Sequence, residues 1–257
     1  MLYRLRRNPF PVRAHFEQAL ALTYALPRDH LEQLLPPGLE LDTFEDFGFV
    51  AVTTVRTCDL RPAFLPRPFG RDYLLTSYRL FTRLKREGAE DLRGLQTLRS
   101  DTDLSWLVKW GNRLSRYGYR KAVIEFEKRD GLIHVDVKTP DAEADLQVTA
   151  DIAHLPGSLP NASPFSDIET AQRFVAPLPY TFDYELETQS VIAVQGHRTQ
   201  WLPQPVDIHV RKISIFESSS FSQCNPVLAS AFYLVDVPYR WDRGRREPTS
   251  RRTIVTM

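Results

Sequence analysis

Short runs of alternating apolar and polar side chains, each closed off by proline, glycine or aspartate, fill most of this 257-residue chain and constrain its fold more than any other feature. A β-strand turns successive side chains to opposite faces, so period two with β-branched and aromatic residues predicts strands. Such runs are "LELDTF", "FGFVAVTTVR", "YLLTSYRLFTRL", "LRGLQTLR", "AVIEFEKRDGLIHVDVKT", "YTFDYELETQSVIAVQG", "PVDIHVRKISIFE" and "SAFYLVDVPYRW". The 19 prolines are spread between them rather than gathered in one linker, and no repeat interrupts them, which predicts a single β-rich domain over residues 1–257. About ten strands with two or three short helices point to a closed or nearly closed barrel, because closure removes the edges that a large antiparallel sheet exposes.

Three segments change period. In "LPRDHLEQLLPPGLELD", Pro27 suits a first helical turn, Leu31, Leu34 and Leu35 share a face, and Pro36-Pro37-Gly38 forbids continuation. In "RSDTDLSWLVKWGNRLSRYG", Leu104, Leu107, Val108, Gly111 and Leu114 recur at helical spacing, with Ser100 and Asp103 spaced as a capping box. Asp101 and Asp103 read as caps there, since no further ligand follows at metal-binding spacing. Ser166 and Glu169 repeat the box before a third short helix. Asp130-Gly131 has the composition of a tight hairpin turn, which sets His134 opposite Glu127 as a surface cross-strand pair, with a general-base role as the alternative.

Composition narrows the functional classes. A chain this long can bury roughly 70–75% of its unfolded surface. Its 33 Lys and Arg against 32 Asp and Glu leave a net charge of +1, so no overall field draws it to nucleic acid or to an anionic membrane. Cys58 and Cys224 are far apart and outside any CxxC pattern, which argues against a disulfide scaffold and a zinc site and suits the cytoplasm. The start "MLYRLRRNPFPVRAHF" lacks the apolar core of a leader, and "ALALTYALP" is too short to span a bilayer. The sequon at Asn161 then reads as loop. His15, His30, His134, His154, His197 and His209 form no close ligand pair, and GxSxG, P-loop and GxGxxG signatures are missing, so neither a metal nor a cofactor is expected.

The stretch "YGYRKAVIEF" carries the remaining chemistry. By alternation Arg120, Ala122, Ile124 and Phe126 share one face, and Lys121, Val123, Glu125 and Glu127 the other. The apolar row faces inward, which predicts Arg120 at its interior end and Lys121 at the rim. A guanidinium stays charged in a protein, so a buried Arg120 needs a carboxylate, a phosphate or several carbonyls; either an anion site or a salt bridge at a barrel corner satisfies it.

Together "LPPGLELDTF", "LRSDTD", "YGYRKA", "SPFSDIETAQRF" and "VQGHRTQWLPQPV" resemble the YqjF-like domain of unknown function, a bacterial family in the acetoacetate decarboxylase-like superfamily. The resemblance runs from about Tyr24 to Tyr239 and implies a double-sheet, cone-like β-barrel with a central cavity and a few short helices. It further implies that Tyr119-Arg120-Lys121 stands where the decarboxylase has Pro-Lys-Lys, whose first lysine forms a Schiff base. Arginine cannot condense with a ketone. Where the decarboxylase has cavity glutamates, "YLLTSYRLF" offers Thr76, Ser77 and Arg79.

The leading expectation is a barrel that binds a small anionic metabolite, a carboxylate, with Arg120 as anchor, Lys121 and Arg79 as supporting charge and Tyr119 as a hydrogen-bonding wall. A second makes Lys121 the amine nucleophile of a Schiff-base enzyme, its pKa depressed by neighbouring Arg120. A third is a non-catalytic scaffold acting through its surface, homo-oligomeric or not. The basic stretch 242–257, with Arg243, Arg245, Arg246, Arg251 and Arg252, reads as a flexible tail.

Overall fold

The computed structural model describes residues 2–86, 88–175, 178–221 and 224–248. Its strands are β1 (Val12–Pro27), β2 (Leu39–Leu41), β3 (Phe47–Pro62), β4 (Arg71–Leu84), β5 (Leu92–Thr102), β6 (Tyr119–Lys121), β7 (Val123–Arg129) and β8 (Leu132–Lys138). They continue with β9 (Leu146–Asp151), β10 (Tyr180–Glu185), β11 (Ser190–Arg198), β12 (Gln204–Pro205), β13 (Asp207–Ile213), β14 (Val227–Trp241) and β15 (Arg245–Pro248). The helices α1 (Arg28–Glu32), α2 (Asn112–Leu114) and α3 (Ile168–Val175) are short, and a π turn over Leu107–Gly111 leads into α2.

Strands β14, β1, β3, β4, β5, β10 and β11 pair in that order, and β11 pairs back to β14, so the sheet closes on itself. Every step is antiparallel except β5 to β10. A second sheet, ordered β13-β9-β8-β7, packs on the outside of this ring. The mostly-β double-sheet barrel expected from the sequence is therefore the observed fold.

Alternation along β4 shows how one strand serves two interiors. Tyr73, Leu75, Ser77, Arg79 and Phe81 line the space inside the ring, whereas Leu74, Tyr78 and Leu80 face outward into the slab beneath the second sheet. There they meet Ile124, Phe126, Ile133 and Val135, whose burial contributes roughly 1.5–3 kcal/mol per large side chain. The Tyr78 hydroxyl donates to the Ala144 carbonyl at 2.9 Å, and Arg56 donates to the Phe126 carbonyl, so polar ties also join the sheets.

One end of the ring is plugged by aromatic rings. Phe165 stacks on Phe49 with centroids 5.3 Å apart, and Phe174 of α3 stacks on Phe81 at 5.8 Å. The helix is capped by Asp167, whose Oδ1 accepts from the Thr170 N–H at 2.7 Å, one residue later than the Ser166 box predicts. The hairpin turn is as expected, with positive φ at Asp130 and Gly131 and Glu127 paired with His134.

Two expectations are corrected. Ser100 and Asp101 do not cap a helix but end β5, and the Asp103 carboxylate accepts from the Leu74 N–H at 2.8 Å. Strand pairing with β4 and β6 takes those residues, while the leucine spacing still places Leu107 against Tyr73 and Leu75. The stretch 242–257 is not uniformly a tail, because Arg245–Pro248 pairs with β11; residues 249–257 lie outside the described residues.

Candidate binding site in the barrel interior

The ring encloses a cavity because its inward positions mix large side chains with very small ones. Ala19 and Ala21 of β1 and Ala51 of β3 stand where leucines would fill the space, and the cavity measures about 470 Å3, within the range of small-molecule sites. Apolar groups make up most of its wall.

The polar groups converge on Arg79. Register pairs Arg79 with Ala51 on one side and Thr97 on the other, and β10 continues past Phe182↔Gln96, so Asp183 follows beside Thr97. Tyr117 and Tyr119 reach the same space from the far side of α2, their rings 5.9 Å apart and edge to face. Gly111 allows that approach: a Cβ there would lie 2.7 Å from the Tyr119 ring.

Among the residues that line the cavity, Asn8 Nδ2, Arg79 Nε, Tyr117 Oη, Arg198 Nε and Trp201 Nε1 are buried without a hydrogen-bond partner, and Thr97 Oγ1 and Asp183 Oδ2 are likewise unpaired on the strands beside Arg79. Native interiors leave few such atoms, and their gathering around one cavity marks a place built to meet something else. Arg79 forms no hydrogen bond or ion pair within contact distance of any described residue, although Asp183 is near enough for their charges to interact. Burial pushes the Asp183 carboxyl up to about 7, opposed by the positive charges of Arg79, Arg116 and Arg6. Burial also raises the Tyr73 phenol to about 12 and pushes the Tyr117 and Tyr119 phenols well above their ordinary value, so all three remain proton donors at neutral pH. A second cavity cation, Arg198, is partly engaged by neutral groups: it donates to the Tyr239 hydroxyl at 2.8 Å and lies over the rings of Trp201 and Tyr239, while its Nε has no partner.

Of the residues expected to form the site, Arg79 and Tyr119 line this cavity and Arg120 and Lys121 do not. Counting along the strand was sound, since Ala122, Ile124 and Phe126 are buried and Glu125 is exposed. The buried face of β7, however, looks into the slab between the sheets and not into the ring. Strand β6 runs parallel to β5, which sets Tyr119 beside Ser100 and Arg120 beside Asp101 on the outer face. There Arg120 is 54% exposed and meets Asp141 at 3.1 Å, within a network in which Arg99 holds both Asp101 and Asp141. A hydrogen bond from Arg99 is the chief cause that keeps the Asp141 carboxyl well below its ordinary value. Lys121 is exposed, its ammonium donating to the Asp103 carbonyl. Arg120 therefore makes the corner salt bridge, and the outer-face pocket that it lines with Arg99, Glu143 and Ser214 is separate from the ring interior.

Sequence reasoning missed Tyr73, Tyr117, Asp183 and Arg198. A signal for Asp183 exists in "YTFDYE", where Thr181, Asp183 and Glu185 make one wholly polar face on a strand flanked by aromatic residues. Glu185 is spoken for, bonded to Arg7, Arg116 and Thr188. Among the described residues no group of three His, Cys, Asp or Glu side chains could hold a metal ion, and no helix is long and apolar enough to cross a membrane.

Residues 13–250 match the model of the DUF2071 family, described as uncharacterized conserved protein (COG2071). The chain belongs to that family. No curated protein sequence matches it. Among solved structures it is similar to acetoacetate decarboxylase from Legionella pneumophila subsp. pneumophila str. Philadelphia 1, at 15% identity and a TM-score of 0.61, covering 93% of this chain and 88% of that one. The enduracididine biosynthesis enzyme MppR complexed with pyruvate aligns at 12% identity and a TM-score of 0.59, over 93% and 90% of the two chains. An acetoacetate decarboxylase-like enzyme from Sphingomonas wittichii RW1 aligns at 13% and 0.56, over 96% of each chain. The DUF2071 chain therefore has the acetoacetate decarboxylase-like fold.

Proposed function

We propose that this DUF2071 protein binds a carboxylate metabolite inside the ring, with Arg79 as the charged anchor and Tyr117 and Tyr119 donating hydrogen bonds beside it. The observation that carries the reading is the Arg79 guanidinium, buried at Nε, facing a cavity and engaged by no described residue. Such a cation is costly unless an anion meets it, and its planar fork fits a carboxylate in two parallel hydrogen bonds. The likeness to an MppR structure that holds pyruvate supports the same ligand class. Asp183 completes the arrangement: protonated, it donates to a bound anion, and ionised, it competes with that anion for Arg79.

A Schiff-base reaction is poorly served here. It needs a desolvated amine, and none of the described residues lining the cavity is lysine, while Lys121 is tied to a carbonyl at the exposed rim. Binding, with or without a later proton transfer, is the function the geometry supports best.

Thermal-shift measurements with a panel of organic acids test this. A ligand at one hundred times its Kd stabilises the folded state by about 2.7 kcal/mol. Arg79→Met should abolish the shift while folding normally, and Arg120→Met should keep it. Equal shifts in Arg79→Met and the parent would remove Arg79 as the anchor.

A further inference from the structure

We infer that the carboxylate taken by this cavity is a medium-chain monocarboxylate, its head on Arg79 and its apolar tail running toward the mouth; the inference rests on the carboxylate reading above. The first ground is size, since about 470 Å3 far exceeds what an acid of a few heavy atoms occupies.

The second ground is how polarity is laid out along the strands. On β4 the inward order is Phe81, Arg79, Ser77, Leu75, Tyr73, running from the aromatic plug outward. Register sets Ala51 beside Arg79, Thr53 beside Ser77 and Val55 beside Leu75, with Ala19 and Leu234 following across β1 and β14. Past the Ser77 and Thr53 hydroxyls these walls are therefore apolar. From Arg79 to Tyr73 is six residues of strand, about 20 Å of path. The lining reaches the surface at Phe69 and Trp106, which are 61% and 42% exposed, so the entrance carries large apolar groups beside the exposed Arg71.

The third ground is charge. Arg79 is the cation at the inner end of β4, matching one anionic head there; Arg198 on another wall is met by the Tyr239 hydroxyl and two aromatic rings, and Arg71 lies at the exposed mouth. A second carboxylate on a short acid would fall among Val55, Leu75 and Leu234, where nothing offsets its desolvation. Arg61, nearer the mouth, is already held by Asp59 and by the Leu65 carbonyl.

Titration calorimetry at pH 6 with pyruvate, butyrate, hexanoate, octanoate, decanoate and decan-1-ol decides the matter. Affinity should rise roughly fourfold with each added methylene, until the tail reaches the mouth. Decanol should bind at least tenfold more weakly than decanoate in the parent and no more weakly in Arg79→Met. Ala21 lies in register with Thr53, just beyond Arg79. Ala21→Phe should therefore erase the advantage of decanoate over butyrate, with Ala21→Leu as the smaller block if the phenylalanine impairs folding. Binding of pyruvate or butyrate with no gain on lengthening overturns the tail and leaves the carboxylate reading standing. No binding by any acid, or equal binding of decanol and decanoate in the parent, overturns both.

Discussion

The slab between the two sheets and the interior of the ring are built from opposite faces of the same strands, yet they are finished differently. In the slab, leucine, valine and isoleucine meet in a continuous cluster; the Tyr78 hydroxyl that enters it finds the Ala144 carbonyl, and the Tyr233 hydroxyl is its unpaired exception. In the ring, alanines face large residues across open space, and an arginine, a threonine, a tyrosine and an aspartate keep polar atoms unpaired. Close packing and full satisfaction are what stability alone selects. The ring gives up close packing and gathers unpaired polar atoms, so the slab is the better source of stability and the ring the better place for the proposed ligand.

The sharpest test of this division is a pair of truncations. Ile133 is fully buried in the slab, and Ile133→Ala should cost roughly 2–5 kcal/mol in urea denaturation, because it removes apolar contacts and leaves a new void. Leu75→Ala enlarges a cavity that is already open, so the penalty for creating one is mostly absent and the loss should be clearly smaller. Equal losses would mean that the ring interior is as tightly packed as the slab, and the comparison would fail.

The next effect lies inside the ring and depends on pH. The Asp183 carboxyl rises from 3.8 to about 7 on folding, so between those values the folded state holds a proton that the unfolded state has released. The stability that this residue contributes is therefore fully present below pH 4, falls as pH climbs to about 7, and is lost above it. At 1.36 kcal/mol per pH unit the loss is at most about 4 kcal/mol. Asp183→Asn cannot ionise and should flatten that decline, gaining stability at pH 8 and none at pH 4. Carboxylate binding should weaken in the parent over the same window, as ionised Asp183 competes for Arg79, and should not weaken in the variant. A parent stability that rises from pH 4 to pH 7 by this residue's titration would show that Asp183 is charged and paired in the fold.

These two regions were not equally legible in the sequence. The slab was, because period two in "AVIEFEKRDGLIHVDVKT" fixes both the buried face and the register of the hairpin from one turn. Membership of the double-sheet barrel was legible too, from strand number and from motifs spread over the chain. What alternation could not tell was which of two interiors a buried face looks into. Arg120 was counted onto the apolar side of its strand, and that side faces the slab, where the strand start emerges into solvent beside Asp141. Arg79 was seen only as supporting charge, since "TSYRLF" does not reveal that both faces of β4 are covered. Asp183 becomes a neighbour of Arg79 only through the parallel pairing of β5 and β10, strands about eighty residues apart, and no local pattern encodes such proximity.

The smallest expected effect separates the two arginines. Arg120 is half exposed and shares Asp141 with Arg99, which keeps its own contacts with Asp101 and Asp141 when Arg120 is lost. Exposed ion pairs contribute about 0–1 kcal/mol, so Arg120→Met should change the urea midpoint by less than that and leave carboxylate binding at the parent value. Lys121→Met should behave alike, since its one described contact is a hydrogen bond to a carbonyl at the rim. The comparison with Arg79→Met is informative because all three changes remove one positive charge of similar size. A general electrostatic attraction for anions would fall equally in each. Loss confined to Arg79→Met ties recognition to the ring interior, whereas loss in Arg120→Met with retention in Arg79→Met would move the site to the outer face of β5 and return the anchor to Arg120.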